Sequence, residues 1–147
     1  MNTTFRRMKH KDIEDICALE HEAFTIPWEK FAFEEEMQND LAHYTVCELN
    51  DKIIAYGGMW LVLDEAHITN IAVKKEYQSM GIGGRLMERM FASAKARGAK
   101  YMYLEVRKSN SIAYDMYKKK GFMVEGVRKN YYPDNSEDAI VMLKIIM

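Results

Sequence analysis

A glycine-rich turn between a strand-like and a helix-like segment constrains this chain more than any other feature. Residues 68–73 are mostly apolar and predict a strand, and an amphipathic helix pattern begins near residue 83. Between them stand three glycines in four positions, Gly81, Gly83 and Gly84. Without Cβ atoms a ligand can approach the backbone closely, and the N–H groups that open a helix have no partner within it. Such a turn favours a bound phosphate or pyrophosphate group.

The spacing of these glycines does not fit the two well-known phosphate-binding patterns. A Walker loop places Lys and then Ser or Thr after its last glycine, whereas Arg85 and Leu86 follow Gly84. A dinucleotide fingerprint needs G-x-G-x-x-G, and here the third glycine directly follows the second. Taken alone, the turn is equally compatible with a helix entry in which glycines allow tight packing.

The hydrophobic periodicity predicts an α/β fold, a mixed sheet with helices on both faces. Gly57 and Gly58 inside the third strand indicate a bulge or a close packing contact. A chain of 147 residues is expected to form one domain, residues 1–147. The predicted strands cover about 3–8, 44–49, 53–63, 65–73, 101–106, 122–129 and 138–145, and the helices about 11–24, 29–38, 83–97 and 109 or 110 to 120.

Composition and charge narrow the function classes. Apolar residues make up 48% and charged residues 29%, as in ordinary soluble proteins. A net charge of −1 predicts no direct, tight binding of nucleic acid. The sequence has no apolar run long enough to span a membrane, so we expect a cytoplasmic protein. The two cysteines and four histidines lack metal-ligand spacing, and we expect no metal site.

A wider set of motifs resembles the GNAT N-acetyltransferase superfamily. Residues 78–83 (QSMGIG) are similar to the Arg/Gln-x-x-Gly-x-Gly loop with which that family binds acetyl-coenzyme A (acetyl-CoA). The resemblance runs from Pro27 to Met142, and its second half is similar to the branch that acetylates protein N-termini. Further matching segments are 70–73 (NIAV), 104–107 (LEVR), 109–110 (SN), Ala113, Tyr117, 121–122 (GF), 128–132 (RKNYY) and 137–139 (EDA).

The resemblance implies a GNAT-like fold of six to seven strands and about four helices, in which two central parallel strands splay apart and admit the cofactor. It also implies acetyl-CoA as co-substrate and, as acceptor, the N-terminal alanine of a small-subunit ribosomal protein or a similar peptide. The residues that the resemblance implies for cofactor binding are Ile71, Ala72, Val73, Ser79, Met80, Gly81, Ile82, Gly83, Gly84, Asn110 and Tyr117.

Acetyl transfer to an amine needs a proton acceptor for the amine, donors for the oxyanion and a proton for the leaving thiolate. Strand alternation puts Tyr101, Tyr103 and Glu105 on one face, so Glu105 is a candidate base, although a solvated glutamate fits the same pattern. Tyr117 is a candidate acid, although a core aromatic would have the same helical spacing. The resemblance implies the catalytic role for both.

Two aromatic loops hold the only prolines of the chain and are candidates for substrate binding. The resemblance implies that Pro27, Trp28, Tyr131 and Tyr132 wall a narrow channel for a free peptide N-terminus, whereas their composition alone indicates packed loops. Acidic residues near its mouth, such as Glu35, Glu36 or Glu137, would attract basic residues of the substrate, or simply form a solvated charged surface.

Two further positions bear on the site. Ser79 stands where the family commonly has an arginine, which removes a phosphate contact that Arg85 or backbone donors would have to replace. Tyr77 is a packing residue or, as in related enzymes, helps to orient a water.

Three functions therefore remain open: an acetyltransferase for protein N-termini, a GNAT enzyme for a small amine, and a non-catalytic acetyl-CoA sensor. Candidates for both proton-transfer roles argue against the sensor. As for assembly, we expect a monomer or a weak dimer.

Overall fold

The computed structural model describes residues 2–146, which form one seven-stranded mixed sheet with four α-helices. The strand order is β1-β2-β3-β4-β5-β7-β6. The strands are β1 (Thr4–Arg7), β2 (Ala42–Leu49), β3 (Lys52–Val62), β4 (Glu65–Val73), β5 (Tyr101–Arg107), β6 (Met123–Arg128) and β7 (Ala139–Ile145). The helices are α1 (Ile13–Ala23), α2 (Lys30–Gln38), α3 (Ile82–Ala96) and α4 (Ser111–Lys119), with short 3₁₀ turns at His10–Asp12 and Lys75–Tyr77.

The predicted fold class is confirmed, and the element ends shift by one or two residues. The first α-helix starts two residues later than predicted, because Asp12 caps a 3₁₀ turn: its carboxylate accepts the N–H of Lys9 at 2.7 Å and the guanidinium of Arg6 at 2.8 Å. Phe24, the last residue of the predicted helix, lies just past the observed end in an extended conformation and is partly exposed.

Two hydrophobic cores cover the two faces of the sheet. The first joins α3 and α4 to the central strands, with Leu86, Met87 and Met90 fully buried. The second joins α1 and α2 to β2 and β3, with Ile16 and Phe33 fully buried. Within the described chain, no helix is long and apolar enough to cross a membrane.

The parallel strands β4 and β5 pair at their amino-terminal ends and then separate. This split positions the site. They pair only at Glu65↔Tyr101, Ala66↔Met102 and His67↔Tyr103. Beyond His67, β4 continues beside β3 alone, and beyond Tyr103, β5 continues beside β7 alone. The carboxyl halves of two central strands therefore face a gap, as the resemblance implied.

A bulge in β4 lies at the level of this split. The β3–β4 register passes from Gly58↔Asn70 to Met59↔Ile68, so Thr69 is an extra residue of β4 without a partner on β3, two positions beyond the last residue of β4 that pairs with β5. A bulge bends its strand and increases the local twist, so this one turns β4 away from β5. The glycine pair also allows close packing, since a Cβ at Gly57 would stand 2.6 Å from the Met90 sulfur.

Candidate active site

Glu105 lies on β5 just beyond the split. The predicted alternation is confirmed, because Met102 and Leu104 are buried in the core while the Glu105 side chain remains about 30% exposed. Its Oε2 is 2.9 Å from Nε of Arg128 on β6. This carboxylate is thus held in a fixed direction at the mouth of the gap, where it can accept a proton.

The loop between β6 and β7 brings Tyr131 and Tyr132 to Glu105. The two rings pack edge to face with centroids 5.1 Å apart. Burial raises the pKa of Tyr131, and the neighbouring Glu105 carboxylate adds to that rise. Burial also raises the pKa of Tyr132 to about 12, with Arg107 opposing the rise and Glu105 adding to it. The aromatic pair therefore lies close to the candidate base.

Arg107 at the end of β5 fixes this loop. Its guanidinium bonds Asp134 at 3.0 Å and Glu137 at 3.3 Å, and it stacks 4.0 Å above the Tyr132 ring. Hydrogen bonds from Arg107 lower the pKa of Asp134. The loop is consequently clamped by charge-assisted bonds, which are shorter and stronger than neutral ones.

Tyr117 is the buried member of the site. It lies on α4 with 7% of its surface exposed, edge to face against Phe122 at 5.8 Å. Burial raises the pKa of Tyr117 to about 12, and the proximity of Tyr132 adds to the rise. Tyr132 is therefore near both the candidate acid and the candidate base, so the structure brings these groups together around one aromatic side chain.

The glycine turn has a backbone suited to an anion. Ser79 (φ 65°) and Gly81 (φ 80°) adopt left-handed conformations on either side of Met80. The first helical N–H to reach a carbonyl is that of Arg85, which bonds Gly81 O at 3.1 Å. In the described chain, no N–H of residues 79–84 donates to a backbone carbonyl. These donors are available for a phosphate group.

The packing around Gly83 does not explain the absence of a side chain. A Cβ there would be 3.6 Å from Val73 and 3.8 Å from Met116, which are ordinary contacts. The fold itself would accept alanine, so what the glycine leaves open is access to the backbone. This observation favours ligand binding over the tight-packing interpretation of the turn.

Of the two alternatives to the missing arginine at position 79, the first, the side chain of Arg85, is engaged elsewhere. Arg85 turns away to β1, where it bonds the Thr3 hydroxyl at 3.0 Å and stacks on Phe5 at 5.0 Å. Instead, the Lys120 amine at the end of α4 lies 3.3 Å from the position of a Cβ on Gly84. The Lys120 amine also lies 3.6 Å from the Glu88 carboxylate, so its positive charge beside Gly84 is partly balanced within the protein.

The remaining cofactor candidates flank the same gap. Ile71, Ala72 and Val73 form the part of β4 that has separated from β5. Asn110 caps α4, its Oδ1 accepting the N–H of Ala113 at 3.2 Å. The capping role leaves the amide nitrogen of Asn110 to face other groups.

A buried glutamate, Glu20, holds the first aromatic loop (Pro27–Trp28) through a hydrogen bond to its backbone. The Trp28 ring packs on Phe33 at 5.5 Å, and its backbone N–H bonds Glu20 Oε2 at 2.9 Å. Glu20 is 3% exposed and also accepts from the hydroxyl of Tyr56 and from the Asn70 amide at 3.3 Å. Trp28 is thus part of the packing on this face, while its loop is tied to β4 beside the split.

Two of the proposed steering carboxylates have internal partners instead. Glu36 is buried and accepts the Trp60 indole N–H at 2.9 Å. Glu137 bonds Arg107 and the N–H of Ser109. These two are structural, and Glu35 alone of the three remains on the exposed surface.

Tyr77 packs, partly buried, against the first hydrophobic core. With Leu19 of α1 and Ile54 of β3 it also lines a cavity of about 400 Å³. Within residues 2–146, no three His, Cys, Asp or Glu side chains are grouped as metal ligands.

Comparison with known proteins decides the family. The family model described as Acetyltransferase (GNAT) matches residues 13–122. The chain belongs to the GNAT acetyltransferase family. Its members transfer the acetyl group of acetyl-CoA, so this protein is an acetyl-CoA-dependent N-acetyltransferase.

This GNAT enzyme has named relatives over almost its whole length. It is 43% identical, over 93% of the chain and 91% of the relative, to a Bacillus subtilis (strain 168) protein provisionally named ribosomal protein bS18-alanine N-acetyltransferase. It is 34% identical to the Escherichia coli (strain K12) enzyme of that name, over 95% of both chains. The crystal structure of the ribosomal-protein-S18-alanine N-acetyltransferase from Escherichia coli superimposes with a TM-score of 0.92, covering 99% of this chain and 94% of that one.

Four residues of this site carried no distinct sequence signal. Arg107 and Arg128 fall within motifs of the resemblance, yet their partners depend on strand register. Lys120 precedes a glycine at the end of α4, and a basic residue is common at the C-terminal end of a helix. Glu20 looks like any surface glutamate of an amphipathic helix, and only its place on the buried face of α1, beside Leu19, would have singled it out.

Proposed function

We propose that this GNAT enzyme acetylates the α-amine of the N-terminal alanine of a ribosomal protein of the bS18 type. One observation carries the proposal: Glu105 lies just beyond the point where β4 and β5 separate, with the Tyr131–Tyr132 loop beside it, and Tyr132 in turn influences the pKa of Tyr117. The names of the relatives, at 43% and 34% identity, support the same acceptor.

Acetyl-CoA would supply the thioester carbonyl that the amine attacks. The N–H groups of residues 79–84 would bind its pyrophosphate, with Lys120 adding positive charge beside Gly84. The edges of Ile71, Ala72 and Val73 would hold the rest of the co-substrate in the gap, with Asn110 and Tyr117 on its other side.

Glu105 would accept the proton of the attacking amine. An α-amine has a pKa near ~8, against ~10.4 for a lysine side chain. A carboxylate, acting directly or through a water, is therefore a strong enough base to remove the proton of an α-amine at neutral pH. The ion pair with Arg128 orients the carboxylate, and its partial exposure leaves a path for the proton to solvent.

Tyr117 would hold its hydroxyl proton toward the sulfur leaving group. With a pKa of about 12 the phenol stays protonated throughout the physiological range. Complete transfer to a thiolate of ordinary pKa ~8.5 would be uphill by about 5 kcal/mol. Tyr117 would therefore act first as a hydrogen-bond donor that stabilises the leaving group as it forms.

The loops at Pro27–Trp28 and Tyr131–Tyr132 would form the walls of the acceptor channel. The Thr25 hydroxyl helps to lower the pKa of Asp134, so the two loops approach each other at this point. A channel between two clamped aromatic loops admits a chain end more readily than a side chain on a folded surface, and a small first residue more readily than a bulky one.

A peptide screen tests the proposal. The enzyme would be given acetyl-CoA with an Ala-Arg peptide, an N-terminally blocked lysine peptide or a polyamine, and thiol release would be followed. We expect rapid turnover with the first peptide only. Equal turnover with the polyamine would favour a small-amine acetyltransferase instead.

A further inference from the structure

One edge of α3 carries a row of arginines that the acetyl-transfer site does not use. Arg85, Arg89 and Ser93 recur every four residues along one side of α3 at steps of about 6 Å, and Arg97 follows at the end of the helix. This side faces β1 and β2, where a cavity of about 370 Å³ opens between helix and sheet. We call this cavity and its rim the basic groove; its lining includes Arg7, His43, Thr45, Arg89, Ser93 and Arg97.

Within residues 2–146, three of the four arginines that line the basic groove have no internal counter-charge. In the described part of the chain, the arginines within 4 Å of a carboxylate are Arg6, Arg107 and Arg128. Arg6 also borders the groove, but Asp12 and Glu48 neutralise it. The guanidinium groups of Arg7, Arg89 and Arg97 therefore project their charge into the cavity, although Arg89 gives one N–H to the Phe5 carbonyl.

His43 lines the same groove, and the positive charge of these arginines affects its pKa. Burial lowers the pKa of His43, and the charges of Arg97 and Arg7 lower it further. Hydroxyl groups of Thr45 and Ser93 line the same cavity. Cations with hydroxyl donors in a concave site are the groups that bind phosphate oxygens.

The net charge of −1 conceals this groove because the acidic residues lie elsewhere. Helices α1 and α2, on the opposite face of the sheet, carry seven carboxylates and one lysine. The charge is thus divided between the two faces. The expectation that the whole-chain charge excludes nucleic acid does not account for this division.

We propose that the basic groove binds the phosphate backbone of single-stranded RNA. Three guanidinium groups along one groove, those of Arg7, Arg89 and Arg97, fit a polyanion, and each planar fork can bind a phosphate through two hydrogen bonds. The choice of RNA rests on the proposed function, because ribosomal proteins bind ribosomal RNA. Binding at the groove would hold the enzyme near that acceptor without entering the acetyl-transfer site.

Fluorescence anisotropy with a labelled 20-nucleotide oligouridylate tests the proposal on the full chain. We expect binding at low salt that weakens as salt rises, with a log–log slope of about −2 if three phosphates are contacted at about −0.7 each. Arg89→Gln and Arg97→Gln keep most of the side-chain stem, and each should reduce the slope by about 0.7. Their turnover of a short peptide should match the unmodified enzyme, which shows that the fold is intact.

Lys30→Gln on α2 is the matched control, since it removes one exposed positive charge from the opposite face. It should leave RNA affinity unchanged. Absence of binding at low salt, or equal losses in Lys30→Gln and Arg97→Gln, would overturn the proposal. Equally strong competition by polyglutamate would reassign the groove to an acidic protein. The assay uses no acceptor peptide, so its failure is separate from failure of the acetyltransferase function.

Discussion

The carboxylate of Glu105 on β5 lies 2.9 Å from the guanidinium of Arg128 on β6, although β7 runs between the two strands. The pair crosses β7 near Val141, the partner of Glu105, and Ala139, the partner of Arg128. This contact ties the candidate base to the last hairpin of the fold. It gives Glu105 one orientation at the split.

The base assignment predicts the result of replacing Glu105 with its neutral amide. Glu105→Gln should lower kcat by ~10²-fold or more, because a positioned proton acceptor contributes roughly 10²–10⁴. Glu125→Gln, an equivalent change at an exposed position of β6, should leave kcat unchanged. Steady-state turnover of an Ala-Arg peptide from pH 6 to 9 measures both. Near-normal kcat in Glu105→Gln would exclude Glu105 as the base.

The acid assignment predicts an unusual pH profile. Because burial holds the pKa of Tyr117 at about 12, the phenol does not lose its proton between pH 8 and 10. Turnover should rise as the amine deprotonates near pH ~8 and then stay level to pH ~10. Tyr117→Phe should lower kcat by ~10²-fold, whereas Tyr114→Phe on the same helix should not. A fall in kcat centred well below pH 10 in the unmodified enzyme would contradict this role.

The glycine turn predicts opposite effects on stability and cofactor affinity. In Gly83→Ala the new methyl group fits the protein, and alanine in a helix is favoured over glycine by about 1 kcal/mol. The variant should melt at the same or a higher temperature, yet bind acetyl-CoA at least several-fold more weakly. Calorimetric titration measures the affinity, with Gly126→Ala in β6 as control. Unchanged affinity in Gly83→Ala would remove the turn from the cofactor site.

The buried glutamate under the first aromatic loop predicts an effect on acceptor binding. Glu20→Ala leaves the Trp28 N–H without its partner, at a cost of about 1–3 kcal/mol. KM for the peptide should rise several-fold while KM for acetyl-CoA stays constant, and Glu20→Gln should restore part of the loss. Glu14→Ala, at an exposed position of α1, is the control. A parallel rise in both KM values would indicate general destabilisation rather than positioning.

Much of this architecture was predictable because it is local. Periodicity defined every strand and helix within one or two residues, and Gly57 and Gly58 marked the close packing of β3 against Met90 and Tyr44. The glycine turn indicated the start of a helix with unpaired N–H groups. Such a start depends only on neighbouring residues. These features need no knowledge of how distant segments meet.

The contacts that orient the site were not predictable in this way. Arg107 meets Asp134 and Glu137 across 27 and 30 residues, and Arg128 meets Glu105 only because β7 is inserted between β5 and β6. Likewise the burial of Glu36 against Trp60 follows from packing of α2 on the sheet. Strand order and side-chain reach decide these contacts, and neither is encoded in local pattern.

The central claim is that the acceptor is a free α-amine, and one competition measures it. The enzyme is incubated with acetyl-CoA and an equimolar mixture of two peptides: one begins with Ala-Arg, and the other has the same sequence with a blocked N-terminus and a free lysine. Mass spectrometry then counts acetyl groups on each. We predict acetylation of the first peptide at its α-amine alone, with the lysine peptide unmodified. Comparable acetylation of the lysine would contradict the N-terminal function, although membership of the GNAT family would stand.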